Sequence, residues 1–510
     1  MQQSGAETVP AALVIDGAPL LIADVVEVAR HGRPVRLDAA AADRLATGRA
    51  LIDHIVEHED TVYGINTGFG SLARVRVSRE QLLDLQRNLV RSHAAGVGAP
   101  LDAEVTRAML LITAASLARG HSGVRPDVVQ LLLKLLNANV LPVIPSQGSV
   151  GASGDLAPLA HVALVLIGEG EALVGGRRMP GGAALETAGL RPLTLQAKEG
   201  LALINGTHLM CSVGALAVHD AARLIEAAET TAAASLDALK GTDVAFDARI
   251  HQLRPHPGQL ATATRLRYLL EGSEIRRSHE GCTRVQDPYT LRCIPQVLGA
   301  VRDAVAYCTN VLSIELGAVT DNPLSFPDDG VVISGGNFHG QPLALALDFL
   351  TLALCQLASF SERRTYALVS TWEGDAALPI FLTETPGLGS GFMVAQYVAA
   401  SLVNENKVLA YPASADSIPT SAGTEDFNSM GATSAWKARR VLGNALRVVA
   451  IESLCAIQAL ECRRPLLSGA PIEEAVQRVR ALVPRLQDDR SLGAEIETLA
   501  EAMRGGLLAV

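Results

Sequence analysis

Two glycine-rich loops hold the residue types best suited to chemistry. The first, Tyr63-Gly-Ile-Asn-Thr-Gly-Phe-Gly70, sets a phenol among glycines. The second, Gly148-Ser-Val-Gly-Ala-Ser-Gly-Asp155, sets Ser153 between Ala152 and Gly154 just before the apolar run 156–167. Taken one at a time, these residues allow bland readings. The first loop lacks the GK[ST] of a P-loop and the strand–helix setting of a dinucleotide site, so phosphate binding is not expected. The second reads as a flexible turn with Asp155 capping the following helix and Pro158 in its first turn. Asn205, in Leu203-Ile-Asn-Gly-Thr207, reads as a cap or turn residue. Arg292 reads as a solvated charge and Phe338 as core. No HExxH helix and no paired Cys/His spacing occurs, so no metal is expected.

The elements around these loops read as mainly α. Helical spacing of apolar residues marks 21–31, 39–57, 79–94, 102–119 and 125–138, with short extended pieces at 11–15 and 34–37. A β-turn excursion is expected at 170–192. Beyond residue 204, long Ala/Leu-rich windows run at 207–240, 289–318, 339–370, 391–410 and 430–462, with two shorter amphipathic helices in the tail, 471–509. Loops rich in Gly, Pro, Asn and Asp separate the long windows at 252–258, 320–337 and 412–428. The expected division is a small mixed N-terminal part, 1–204, carrying the second loop, and a central bundle of long helices, 205–510. The loops hold nearly all the unusual polar residues, so function is sought there.

Composition narrows the classes. The 510 residues are 49% hydrophobic and 19% charged, which excludes a disordered chain. Lys and Arg number 43 against 53 Asp and Glu, a net −10 with no basic run, so neither nucleic acid nor an anionic membrane is an expected partner. The most apolar stretch, 342–360, is interrupted by Asp348 and Gln356 and reads as a buried helix, not a membrane span. Seven scattered cysteines (211, 282, 293, 308, 355, 455 and 462) without a CxxC pair read as reduced thiols of a cytoplasmic protein. The opening MQQSGAETVP has no signal-peptide pattern. Low charge with a positive mean hydropathy suggests surface buried in an oligomer.

The string Gly148–His161 closely resembles the signature of the aromatic amino acid ammonia-lyases, the family of histidine, phenylalanine and tyrosine lyases and their aminomutase relatives. In that family Ala-Ser-Gly cyclises to 4-methylideneimidazol-5-one (MIO), an electrophilic prosthetic group. The residue types suit such a ring. The Gly154 nitrogen must approach the Ala152 carbonyl, which a residue without Cβ best allows, and Ser153 loses water to supply the methylene. An amino group leaves poorly and a β-hydrogen is barely acidic, so an electrophile and a positioned base are both needed. Further family-like motifs occur in the family's order. By resemblance Tyr63 is the base, and Asn205 contacts the MIO and the substrate's carboxylate region. Val285-Gln-Asp-Pro-Tyr-Thr-Leu-Arg-Cys293 brings Gln286, Tyr289 near the amine, and Arg292 as a bidentate clamp on the carboxylate. Gly335-Gly-Asn-Phe-His339 brings Phe338 beside the ring. The resemblance also implies a homotetramer with shared active sites and no external cofactor.

Two positions bear on the substrate, a small amino acid. His93, in Arg91-Ser-His-Ala-Ala-Gly96, resembles the histidine-lyase pattern, although some tyrosine lyases and aminomutases also carry Ser-His. Glu425 stands where histidine lyases have Glu and most phenylalanine and tyrosine enzymes have Gln; a carboxylate suits an imidazole N–H. Against these stand departures from the family pattern: Gly317, Gly389, Tyr411, the pair Gly423-Thr424, and Thr371-Trp-Glu-Gly-Asp375. The resemblance thus implies elimination of ammonia from L-histidine. A tyrosine lyase, a tyrosine 2,3-aminomutase, a lyase for a related amino acid, and a catalytically silent relative are the alternatives.

Overall fold

The computed structural model describes residues 11–58, 61–68, 70–72, 74–281, 284–370 and 378–509. Nineteen α-helices lie among them, and the mainly α ammonia-lyase fold expected from the sequence is the fold observed. Helix ends are punctuated chemically as well as by apolar spacing. Ala39–Glu57 begins where the Asp38 carboxylate accepts the Ala40 N–H at 2.9 Å. Pro126–Asn137 begins on proline, which has no N–H to leave unpaired there. The extended pieces Leu13–Ile15 and Val35–Leu37 pair in parallel. The excursion after residue 170 is an antiparallel hairpin, Glu171–Val174 with Arg177–Pro180, turning on Gly175-Gly176 at φ +55° and +78° as a two-residue loop requires. Val140–Pro142 completes its sheet.

Two helical expectations need correction. The window 289–318 is a single turn, Tyr289–Arg292, followed by the helix Ile294–Glu315. Pro295 lacks the N–H that would carry one helix through, so a new helix starts beside it. The helix Pro257–Leu270 escapes a reading by apolar spacing, because its buried face includes the polar Gln259 and Thr262. The other long helices run at His208–Ala238, Gln341–Val369, Met393–Leu409 and Gly431–Glu461, and the tail carries Ala470–Arg480 and Gly493–Arg504.

The compact units of the structure are discontinuous in sequence rather than consecutive blocks meeting at 204/205. The first comprises 1–216, 310–347 and 413–436; the second comprises 217–309, 348–412 and 437–510. Backbone hydrogen bonds explain the grouping of the first. Ser325 N–H donates to the His121 carbonyl (2.8 Å) and Met430 N–H to the Val150 carbonyl (3.0 Å), which ties both late segments to the N-terminal part. In the second unit the buried Arg364 forks onto Glu452 at 2.5 and 2.8 Å, and Ser235 and Ser361 donate to the same carboxylate. Such a pair tolerates burial because every lone pair is engaged.

Among the described residues, three helices are long and apolar enough to cross a membrane by length and composition: Ile294–Glu315, Gln341–Val369 and Gly431–Glu461. Within Gln341–Val369 the face formed by Leu343, Leu347, Leu350, Leu354 and Leu357 is buried in protein, while Leu345, Phe349 and Leu352 are exposed. Six described cysteines are free thiols; Cys282 lies outside the described residues, as do Thr371–Asp375 and the opening MQQSGAETVP.

Candidate active site

A cavity of about 740 Å³ opens in the first unit. Its walls include Tyr63, His93, Ser153, Asn205, Phe338 and Glu425, six of the residues singled out from the sequence. Leu85, Leu89, Leu156, Leu201 and Ile204 supply apolar lining, a composition typical of small-molecule sites.

The turn at Ser153 is clamped by backbone. Gly151, Ser153 and Gly154 all have positive φ (+79°, +49° and +85°), and a serine there is strained. The Gly206 N–H donates to the Ser153 carbonyl (3.1 Å), and the Asp155 N–H donates to the Gly206 carbonyl (2.7 Å). A Cβ on Gly154 would lie 2.1 Å from the Gly206 oxygen, so no side chain fits. Ala152 is buried and Ser153 faces the cavity. A tight turn between Gly151 and Gly154 with a cavity-facing serine is what cyclisation of Ala152-Ser153-Gly154 needs, and the residues fit the group.

Asp155 does not cap its own helix, as the sequence suggested. Its carboxylate accepts from the Leu209 and Met210 N–H groups (2.9 and 3.0 Å) at the start of His208–Ala238, and from Ser149 Oγ (2.8 Å). Burial nevertheless pushes its pKa up to about 6, with these hydrogen bonds opposing the shift. The neighbouring His208, between the hydroxyls of Thr113 (3.2 Å) and Thr320 (3.4 Å), is driven the other way by burial, to about 4.

Each remaining wall residue is aimed by a local device. The Tyr63 oxygen accepts from Gly70 N–H (3.4 Å). His93 ends the helix Leu82–His93, and its Nδ1 donates to the Leu89 carbonyl (2.8 Å), which leaves Nε2 as the basic nitrogen. Asn205 closes the helix Glu199–Ile204, and its Nδ2 donates to the Asn322 carbonyl (2.9 Å). Glu425 accepts from Thr420 Oγ1 through Oε2 (2.7 Å), on a turn where Ser421, Ala422 and Gly423 take φ of +51°, +52° and +84°. Gly423 therefore departs from the family pattern with a local reason. Phe338 is half-buried in the loop before Gln341–Val369.

Gln286, Tyr289 and Arg292 are not brought to this cavity. They belong to the second unit, where Gln286 is exposed, Tyr289 is 70% exposed, and Arg292 stacks its guanidinium 4.7 Å from the Tyr289 ring centre. Of the departures, Thr424 lines the cavity while Gly317, Gly389, Tyr411 and Gly423 do not. Asn88, Ser92, Asn322 and Ser334 are lining residues that the sequence did not single out as site residues. Asn88 and Ser92 share one face of Leu82–His93 with Leu85 and Leu89, a helical spacing that could have flagged them.

The aromatic amino acid lyase family model matches residues 20–481. The chain belongs to that family. It is 54% identical over 496 residues to a histidine ammonia-lyase from Gloeobacter violaceus, covering 97% of this chain and 96% of that one. Among solved structures, a histidine ammonia-lyase from Trypanosoma cruzi superposes with a TM-score of 0.90 at 42% identity, covering 98% and 94% of the two chains. A tyrosine aminomutase from Streptomyces globisporus gives 0.92 at 38% identity, covering 98% of each. Backbone likeness to the aromatic amino acid lyases therefore leaves the substrate to the cavity's side chains and to sequence identity.

Proposed function

We propose that this protein eliminates ammonia from L-histidine to give urocanate, with MIO formed from its own Ala152-Ser153-Gly154. The observation that carries the substrate is Glu425 on the wall of the cavity that Tyr63 and Ser153 also line, in a chain 54% identical to a relative named histidine ammonia-lyase. The group supplies an electrophile that turns the substrate's amino group into a better leaving group. Tyr63 Oη takes the β-proton as the C–N bond breaks and the C=C bond forms. Glu425, with Oε2 held by Thr420, offers Oε1 to an imidazole N–H, and His93 Nε2 faces the same ligand. Asn205 meets the reacting end, and Phe338 packs beside it. Leu85, Leu89 and Leu201 exclude water from the ring.

Tyr289, Gln286 and Arg292 act in trans in this reading, reaching the cavity of another copy in a homotetramer, with Arg292 forking onto the substrate carboxylate. The exposure of Gln286 and Tyr289, and the absence of all three from the cavity of their own chain, support it. The scattered free thiols support a cytoplasmic site of action. The test is incubation with histidine, tyrosine and phenylalanine separately, following the absorbance of the conjugated acid. Product from histidine in preference to the other two is expected. Product from tyrosine alone, or a β-amino acid in place of the unsaturated acid, overturns the assignment.

A further inference from the structure

Lys198 and Asp321 form an ion pair at 2.5 Å with side chains 1% and 3% exposed. Neither residue lines the cavity, but the pair touches one that does. Asp321 Oδ1 accepts from Asn205 Nδ2 at 3.3 Å and from the Asn322 N–H at 2.6 Å, while Oδ2 takes the Lys198 ammonium. The second hydrogen of Asn205 Nδ2 goes to the Asn322 carbonyl at 2.9 Å. Both partners of Asn205 Nδ2 are pure acceptors, a carboxylate and a carbonyl. A flipped amide would set its oxygen against both, so the orientation is dictated by chemistry. Both amide hydrogens are spent, which leaves Oδ1 as the polar atom Asn205 can turn to a ligand, and that atom can only accept.

We propose that Lys198 and Asp321 are positioning residues that lock the Asn205 carboxamide with its oxygen toward the cavity, where it accepts from the substrate's amine rather than donating to its carboxylate. This rests on the lyase reading of the cavity and revises the role the family resemblance implied for Asn205. The surrounding backbone is built for the purpose. Lys198 sits at the start and Asn205 at the end of one helix, Glu199–Ile204. Lys198 holds φ +73°, a region that costs an L-residue free energy, and glycine would relieve it. Glu199 fixes the same helix by accepting a fork from Arg125 at 2.9 and 2.8 Å. A lysine at the strained position occupies Asp321 Oδ2 as a donor, which leaves Oδ1 to accept from Asn205. An acceptor beside the amine suits this reaction, since it holds an N–H while leaving the carboxylate to a cation.

The experiment is calorimetric titration of the whole enzyme with two ligand pairs. Histamine carries the amine without the carboxylate, and 3-(imidazol-4-yl)propanoate the reverse; tyramine and 3-(4-hydroxyphenyl)propanoate form the matching phenolic pair. The comparison is between wild type and Asp321→Asn. In the variant, Lys198 draws the new amide oxygen and leaves its NH₂ facing Asn205, so only the Asn322 carbonyl still holds the amide against flipping. For whichever pair wild type binds, the amine ligand should weaken roughly 10- to 100-fold, as for a lost hydrogen bond to a charged group, with the acid ligand unchanged or tighter. Equal weakening of both, or weakening of the acid alone, overturns the proposal. If Asp321→Asn does not fold, Lys198→Met with Asp321→Leu leaves no unpaired buried charge and is read the same way. Loss of the two-water mass deficit with wild-type ligand selectivity would also overturn it, because the pair would then serve the turn at Ser153. Binding of the phenolic pair alone sinks the histidine assignment while still reporting on Asn205.

Discussion

Two turns border the cavity, and they are built by opposite rules. The turn at 151–154 is walled in by the backbone at Gly206 and by Ser429, whose Oγ would sit 2.1 Å from a Cβ on Gly151. The turn at 420–425 also has positive φ at three successive residues, yet nothing lies within 4 Å of a Cβ on Gly423, and Ala422 to Thr424 are exposed. The first turn is over-determined by the packed unit, so its conformation survives strain. The second is held chiefly by its own hydrogen bonds, Thr420 N–H to the Glu425 carbonyl (2.9 Å) and the hydroxyl of Thr420 to the Glu425 carboxylate. Reaction chemistry is assigned to the rigid turn and ring recognition to the loose one. Such a division lets a lineage change substrate without disturbing the reacting end.

The largest effect is expected at the rigid turn. Ser153→Ala should abolish nearly all turnover and raise the intact mass relative to wild type by two waters, less the one oxygen the substitution removes. An active variant breaks the contrast by removing chemistry from that turn. Tyr63→Phe keeps the ring and removes the oxygen. Its turnover should fall by about 10²–10⁴-fold at unchanged mass deficit, measured by initial rates. Glu425→Gln, on the loose turn, should leave the fold and the mass deficit intact and lower the histidine-to-tyrosine ratio of kcat/KM, roughly tenfold or more. An unchanged ratio shows that the loose turn does not read the ring.

The next prediction concerns stability around the rigid turn. Asp155, raised from 3.8 to about 6, contributes stability that is present at low pH and lost as pH rises through about 6. His208, lowered from 6.5 to about 4, contributes stability that is present above 6.5 and lost as pH falls through about 4. The two slopes oppose each other in the same window, each on the order of 3 kcal/mol for a shift of about two units. Asp155→Asn should therefore make denaturant stability fall more steeply between pH 6.5 and 4 than in wild type. His208→Gln should reverse that slope. Identical pH profiles for all three proteins would show that neither group titrates with folding. The smallest effect is Gly423→Ala: an αL penalty of about 1–2 kcal/mol, read as a small drop in Tm, with no clash.

How far the sequence could be read follows the same division. The order of motifs placed Tyr63, Ser153, Asn205, Phe338, His93 and Glu425 on one cavity, because loops between regular helices carry their residue types openly. Asp155 was misread because capping is a local rule, whereas its actual partners, the Leu209 and Met210 N–H groups, lie 54 and 55 residues away. Lys198 and Asp321 gave no signal for a related reason: 123 residues separate them, and a lysine or aspartate ordinarily reads as solvated surface. Gly423 reads in the sequence as a departure from the family pattern and in the structure meets a backbone requirement, φ +84°. The helix break before Pro295 is legible in proline chemistry, although an Ala/Leu-rich window runs across it.

The discontinuity of the first unit carries a consequence for synthesis. Tyr63, Ser153 and Asn205 leave the ribosome long before Glu425, and the segments 310–347 and 413–436 that complete their unit are made after these three. At roughly 5–20 residues per second, tens of seconds separate the first walls of the cavity from the final one. A message truncated before codon 413 encodes a polypeptide with every residue of the Ala152–Gly154 turn and neither Met430 nor Ser429 to brace it. The brace on this turn is therefore among the later parts of the unit to be made.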